Sequence, residues 1–182
     1  MSSTSSSDAG VLARIGRSRI GRGLAVAAAV VSIGLVVVAP GGVDAQSVMS
    51  DREAIGELQA RYFRLLDQKD WVGFRALLAD DIRVDLTADQ LGTFDDADTF
   101  VAAMADHGVT VHQGHMPEIA VASADEATAI WAIEDVDRRP TVGGASVEAH
   151  AYGHAHVAYG RIGGEWKVTS LTVTRLRTDL GG

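Results

Sequence analysis

The residues best suited to chemistry fall in one stretch, Val109 to Asp135, which reads VTVHQGHMPEIAVASADEATAIWAIED. His112 and His115 stand near its start, and Glu134 and Asp135 close it. Between them apolar and polar residues alternate as they do along a strand. Ionisable groups in otherwise apolar strands need a reason, because a buried charge is costly unless it is paired or its titration shifts. The combination of imidazole and carboxylate suits general acid–base catalysis, and the stretch reads as one wall of a pocket. By the period of two, Asp135 shares a face with Trp131 and Ile133, and Glu134 faces the other way. A second group, His150, His154 and His156, shares parity with Tyr152, and imidazoles two apart on a strand can both reach one ion. The opposite parity carries Ala149, Ala151, Gly153 and Ala155, small residues suited to a crowded inner surface. The histidine row is therefore assigned to the convex outer face, and no metal site is assigned.

The elements that position these groups can be read along the chain. Ser50 and Glu53 form a capping box, and Ile55, Leu58, Tyr62, Leu65 and Leu66 follow as one apolar stripe, predicting a helix over 51–66. Asp67-Gln68-Lys69 breaks the stripe, where an aspartate serves as a turn or capping residue. Asp70 can cap a second short helix over 71–78, with Trp71, Phe74, Leu77 and Leu78 inward. Asp80-Asp81 ends it, and residues 82–86 alternate like a short strand. A polar loop leads to a third helix over 99–106, stopped by Gly108. From Val109 the period is two, predicting strands near 109–115, 117–123, 126–138, 146–161 and 165–178, with turns at Ala124-Asp125, Pro140–Gly144 and Gly163-Gly164. Helices first and an antiparallel meander afterwards define an α+β fold with helices packed on one face of a curved sheet.

Length and composition bound the function. At 182 residues and 47% hydrophobic, the chain is long and apolar enough for one packed domain. A net charge of −8 argues against a nucleic-acid partner, which calls for a clustered basic surface. The absence of cysteine excludes disulfides and thiolate metal sites. Residues 1–45 read as a leader: Arg14, Arg17, Arg19 and Arg22, an uncharged run from Leu24 to Pro40, then Val43-Asp44-Ala45 before Gln46. That order is the pattern of a secretory signal peptide cleaved before Gln46, which places the mature domain at 46–182 outside the cytoplasm. Two alternatives stand beside it: an uncleaved membrane anchor, which would be the only membrane contact, and a start at Met49 that would leave the protein in the cytoplasm. Without 1–45 the chain keeps 12 basic and 22 acidic residues, a net charge of −10.

Four strings, LLDQKDW at 65–71, TVHQGHMPEI at 110–119, GHAHVAY at 153–159 and GEWKVTSLTVTRLR at 164–177, taken in this order resemble the SnoaL-like branch of the nuclear transport factor 2-like superfamily. That superfamily includes scytalone dehydratase, bile-acid dehydratase, ketosteroid isomerase and polyketide cyclases. The resemblance implies a cone-shaped α+β roll with a pocket between the helices and the concave sheet face, and a homodimer. It implies that Asp67 pairs with His112 and orients and polarises it as the catalytic base. It gives Tyr62 the role of hydrogen-bond donor to a substrate carbonyl or enolate, against a plain core-packing role. The bile-acid dehydratase pattern reaches Asp135 and Arg175, either as catalytic and substrate-binding groups or as a buried salt bridge. Trp131, His115 and Tyr159 join Arg175 as substrate-binding residues. The scytalone dehydratase pattern is broken at Asp137 and Leu86, where that enzyme carries a second histidine and a tyrosine.

Together these readings predict a cofactor-independent lyase-like enzyme, a dehydratase or else an isomerase or cyclase. Its substrate would be a mainly apolar cyclic hydroxy-carbonyl compound of steroid or polyketide type. The alternative is a non-catalytic small-molecule-binding or dimeric interaction module of the same fold.

Overall fold

A computed structural model describes residues 44–140 and 146–181. The leader up to residue 43 and the predicted turn beyond Pro140 lie outside the described residues. Helix α1 runs Ala45–Gln68 and starts six residues before the predicted position. The reason is a second cap. The Asp44 carboxylate accepts the backbone N–H groups of Gln46 and Ser47, so the capping box at Ser50 lies within a helix already begun. At the other end Lys69 takes the left-handed conformation at φ 59°, and its N–H returns to the Leu65 and Leu66 carbonyls. The stripe of α1 is buried as predicted: Ile55, Leu58, Tyr62, Leu65 and Leu66, with Gln59 among them. Asp70 caps α2 (Trp71–Ala76) through the Gly73 N–H at 2.9 Å.

Strand β1 (Leu78–Asp85) begins four residues earlier than the alternation suggested. Leu78 and Ala79 are fully buried in strand conformation, and Asp80-Asp81 forms an exposed irregularity within the strand instead of a helix end. A 3-10 turn (Thr87–Asp89), a short strand β2 (Thr93–Phe94) and helix α3 (Ala97–Ala105) follow. Asp96 caps α3 through the Thr99 N–H at 2.8 Å.

Four long strands complete the sheet: β3 (Val109–Val121), β4 (Glu126–Pro140), β5 (Ser146–Ile162) and β6 (Glu165–Gly181). The two strands predicted around Pro117 are one strand with a register shift between His115 and Glu118, where Met116 takes a positive φ of 39°. The six strands lie in the order β2-β1-β6-β5-β4-β3, all neighbours antiparallel except β1 beside β6. This is the expected α+β architecture, with a mixed curved sheet around the N-terminal helices. Helix α1 packs chiefly on β3, and its C-terminal end meets the first half of that strand.

Candidate active site

Between α1, α3, the 86–91 segment and the concave face of the sheet lies a cavity of about 520 Å³. Its walls are mainly apolar, with Phe63, Leu66, Leu91, Met104, Ile133 and Leu171 among them. Polar groups enter from alternate residues of β3 and β4. Thr110 and His112 face inward on β3, opposite Asp137 and Asp135 on β4 in register.

Asp67 reaches this wall from the last turn of α1. Its Oδ1 lies 2.6 Å from His112 Nδ1 and accepts the Thr110 hydroxyl at 3.0 Å, and its Oδ2 accepts the His112 backbone N–H at 2.9 Å. Burial alone would raise this carboxyl, but the hydrogen bonds from the His112 ring, the His112 backbone and Thr110 outweigh it and hold it below the usual range. An ionised carboxylate only accepts, so Nδ1 of His112 carries a proton and donates it to Asp67. In the neutral ring Nε2 is then the basic atom. Phe63 lies nearly parallel to the imidazole, 10° between planes, and helps fix its orientation. Lys69 donates to Thr110 at 2.8 Å; burial lowers its ammonium, and the charges of Asp67 and Asp137 act the other way.

Deeper along the same face, Asp135 is 7% exposed and its Oδ2 lies 2.7 Å from Arg175 Nη1. That contact is an ion pair with poor hydrogen-bond alignment, since Arg175 Nη1 and Asp135 Oδ1 both lack a hydrogen-bond partner among the described residues. Burial pushes Asp135 above the ordinary carboxylate range, against the opposing charges of His112 and Arg175. Arg175 spends its fork on Asp89, donating from Nε at 2.7 Å and Nη2 at 3.0 Å. Asp89 belongs to the 3-10 turn over the cavity, so this pair ties that turn to the sheet. Tyr62 is buried and lines the cavity; burial, then the charges of Asp135 and Tyr159, push its phenol upward, and it stays a proton donor.

His112, Tyr62, Asp135 and Arg175 thus line one cavity, and Asp67 joins them through its contact with His112 without lining it. Three other predicted residues are placed elsewhere. Trp131 and Tyr159 are buried behind the wall, with the indole N–H donating to the Tyr159 oxygen at 3.0 Å and the Tyr159 hydroxyl donating to Gln59 at 2.7 Å. Their polar atoms serve each other, so they brace the wall instead of lining it. His115 is exposed at the register shift, on the face opposite His112. Glu134 faces outward and meets His150 at 2.6 Å, and His154 and His156 lie on that outer face as assigned. Among the described residues no group of three or more histidines or acids could hold a metal ion.

Sequence reading missed several cavity residues. Thr110 and Asp137 were detectable, because they share the inward parity of His112 and Asp135. His107, 3.3 Å from Asp137, and Asp89 sit in connecting segments with no periodicity to point inward. Gln59 carried a signal, an amide on an otherwise apolar helix stripe.

Helices laid over a mixed sheet that encloses a carboxylate–histidine cavity define an α+β pocket protein with the equipment for acid–base chemistry. The chain belongs to the SnoaL-like domain family, whose profile matches residues 47–172, within the nuclear transport factor 2-like superfamily. Among solved structures it is similar to a putative scytalone dehydratase from Novosphingobium aromaticivorans, at 17% identity and TM-score 0.65, covering 74% of this chain and 89% of that one. It is also similar to a hexachlorocyclohexane dehydrochlorinase from Novosphingobium barchaimii, at 17% identity and TM-score 0.62, covering 76% and 95%. A protein of unknown function with a cystatin-like fold from Nostoc punctiforme aligns at 21% identity and TM-score 0.54, covering 69% and 91%. At these identities the likeness is one of fold.

Proposed function

We propose that the protein is a cofactor-independent lyase that dehydrates a mainly apolar cyclic hydroxy-carbonyl compound. The observation that carries this reading is the Asp67–His112 contact of 2.6 Å opening on a largely apolar cavity. Such a pair holds an imidazole in one tautomer, with Nε2 ready to take a proton. That nitrogen removes a proton from the carbon next to the carbonyl, and the C–H electrons pass to the carbonyl oxygen as an enolate. Tyr62 donates a hydrogen bond to that oxygen as charge builds on it. When the enolate collapses, a C=C bond forms and the β-hydroxyl leaves as water, taking its proton from the imidazolium or from Asp135. Isomerisation and cyclisation begin with the same proton abstraction. Two structural neighbours are named a putative dehydratase and a dehydrochlorinase, which supports an elimination.

Dehydration of a panel of cyclic hydroxy-ketones by the parent and by His112→Ala tests this directly. A fall of about 10²–10⁴-fold in the variant is expected for loss of a general base. Equal turnover by both would sink the mechanism, and no turnover by either would leave the binding-module reading. Export belongs to the same proposal, and a native N-terminus at Gln46, measured by intact mass, would support it.

A further inference from the structure

The buried stripe of α1 contains one amide, Gln59, 2% exposed. A buried amide is unfavourable unless its groups are bonded. Only half of this one is accounted for. The Trp131 indole can only donate, so the Tyr159 oxygen accepts from it at 3.0 Å, and the Tyr159 proton is left to point at Gln59 at 2.7 Å. The Gln59 atom that receives it must be the oxygen, which fixes the flip of the amide by chemistry. The Nε2 group, with two hydrogens, is then the free side of a residue that lines the cavity. Among the described residues no partner meets it.

Tyr62 follows three residues later on the same face of α1, with the two Cβ atoms about 5–6 Å apart as helix geometry requires. Tyr62 also lines the cavity. Two donor-bearing residues from successive helical turns therefore line the same space, while Asp67 and His112 stand toward the C-terminal end of that helix. An sp² oxygen accepts two hydrogen bonds along its lone pairs, and as an enolate it gains charge that both donors can stabilise.

We propose that Gln59 Nε2 and the Tyr62 hydroxyl form a two-donor clamp for a carbonyl oxygen, with Tyr159 and Trp131 as positioning residues that set the amide. The inference rests on the lyase reading and deepens it, because it commits the substrate to a ring compound bearing a carbonyl. A halogenated hydrocarbon offers the clamp no strong acceptor, and a site built to bond an oxygen discriminates against analogues that lack it.

Binding tests the clamp without turnover. The probes are 2-naphthol, whose phenolic oxygen mimics an enolate, and naphthalene, which has the same rings and no oxygen, both followed by fluorescence titration. The parent is expected to prefer 2-naphthol by about tenfold or more, and Gln59→Met to weaken 2-naphthol about tenfold with naphthalene within about twofold. Equal weakening of both probes, or an unchanged preference, would overturn the proposal. If Gln59→Met does not fold, Tyr159→Phe takes its place: it removes the hydroxyl that sets the amide and is expected to erode the same preference, and an unchanged preference is again fatal. A parent that shows the preference but dehydrates nothing refutes the lyase reading and leaves the clamp standing.

Discussion

Arg175 is the most informative residue to remove, because it faces two carboxylates and one of them is deeply buried. Its guanidinium lies 2.7 Å from Asp135 and donates twice to Asp89. Arg175→Met keeps an apolar stem in place and leaves Asp135 buried without its ion-pair partner. Breaking one partner out of a buried pair costs about 3–5 kcal/mol, a fall in Tm of roughly 10–20 °C for a domain of this size. The loss has a pH signature. Burial already raises Asp135 above its ordinary 3.8, and without Arg175 one of the two opposing charges is gone, so the folded-state value rises further. A carboxyl raised by folding stabilises the fold fully below its unfolded value, and that contribution disappears as pH climbs through the folded value. The variant's deficit against the parent is therefore greatest near pH 8 and shrinks toward pH 5. Adding Asp135→Asn is expected to recover at least half of the loss at pH 8 and flatten the pH dependence. Thermal denaturation of the three proteins from pH 5 to 8 measures this. A deficit that is the same at every pH, or smaller than about 3 °C, would refute the charge argument.

Other outcomes follow from the same geometry. Asp67→Asn removes the acceptor that fixes the His112 tautomer, and turnover is expected to fall about 10²–10⁴-fold with the cavity intact. Because Asp67 is held below the ordinary range, the parent loses the stability it contributes as pH falls through that lowered value; the Asn variant should show a shallower acid limb in denaturation. Two glycines should differ under Gly→Ala. A Cβ at Gly153 would sit 2.0 Å from the Thr174 carbonyl oxygen, in the backbone, and this variant is expected to lose folded yield. At Gly114 the obstacle is the Phe63 ring at 2.4 Å, which can shift, so a loss of about 1–3 kcal/mol is expected together with altered His112 geometry.

The order of helices and strands was legible because α1 and the long strands carry clean periods of 3.6 and two. The start of α1 was not, since Asp44 lies within a leader-like pattern and a second start signal follows at Ser50. The parallel pairing of β1 with β6 joins residues some ninety positions apart and leaves no local mark. At the site, parity put Asp135 inward with Trp131, and both are buried. Parity does not say how far a side chain stands from the cavity, and Tyr159 and Gln59 close over the Trp131 indole. His115, an odd number of residues from His112, faces the other side of the same strand. The tie between Arg175 and Asp89 spans two elements with unrelated patterns, and only the folded chain brings them together.

The inward row of β5 gives the cavity one wall made of Ala149, Ala151 and Ala155. None of these methyl groups takes part in proton transfer, yet together they set how much of the 520 Å³ is open. Under the proposed function, size selection and chemistry are thereby carried by different strands. Exchanging one of these alanines for valine or leucine would shorten the accepted ring system and leave the Asp67–His112 pair on α1 and β3 untouched. If the proposed function holds, a descendant of this protein could change its substrate range by editing a single strand, with the acid–base pair left as it is.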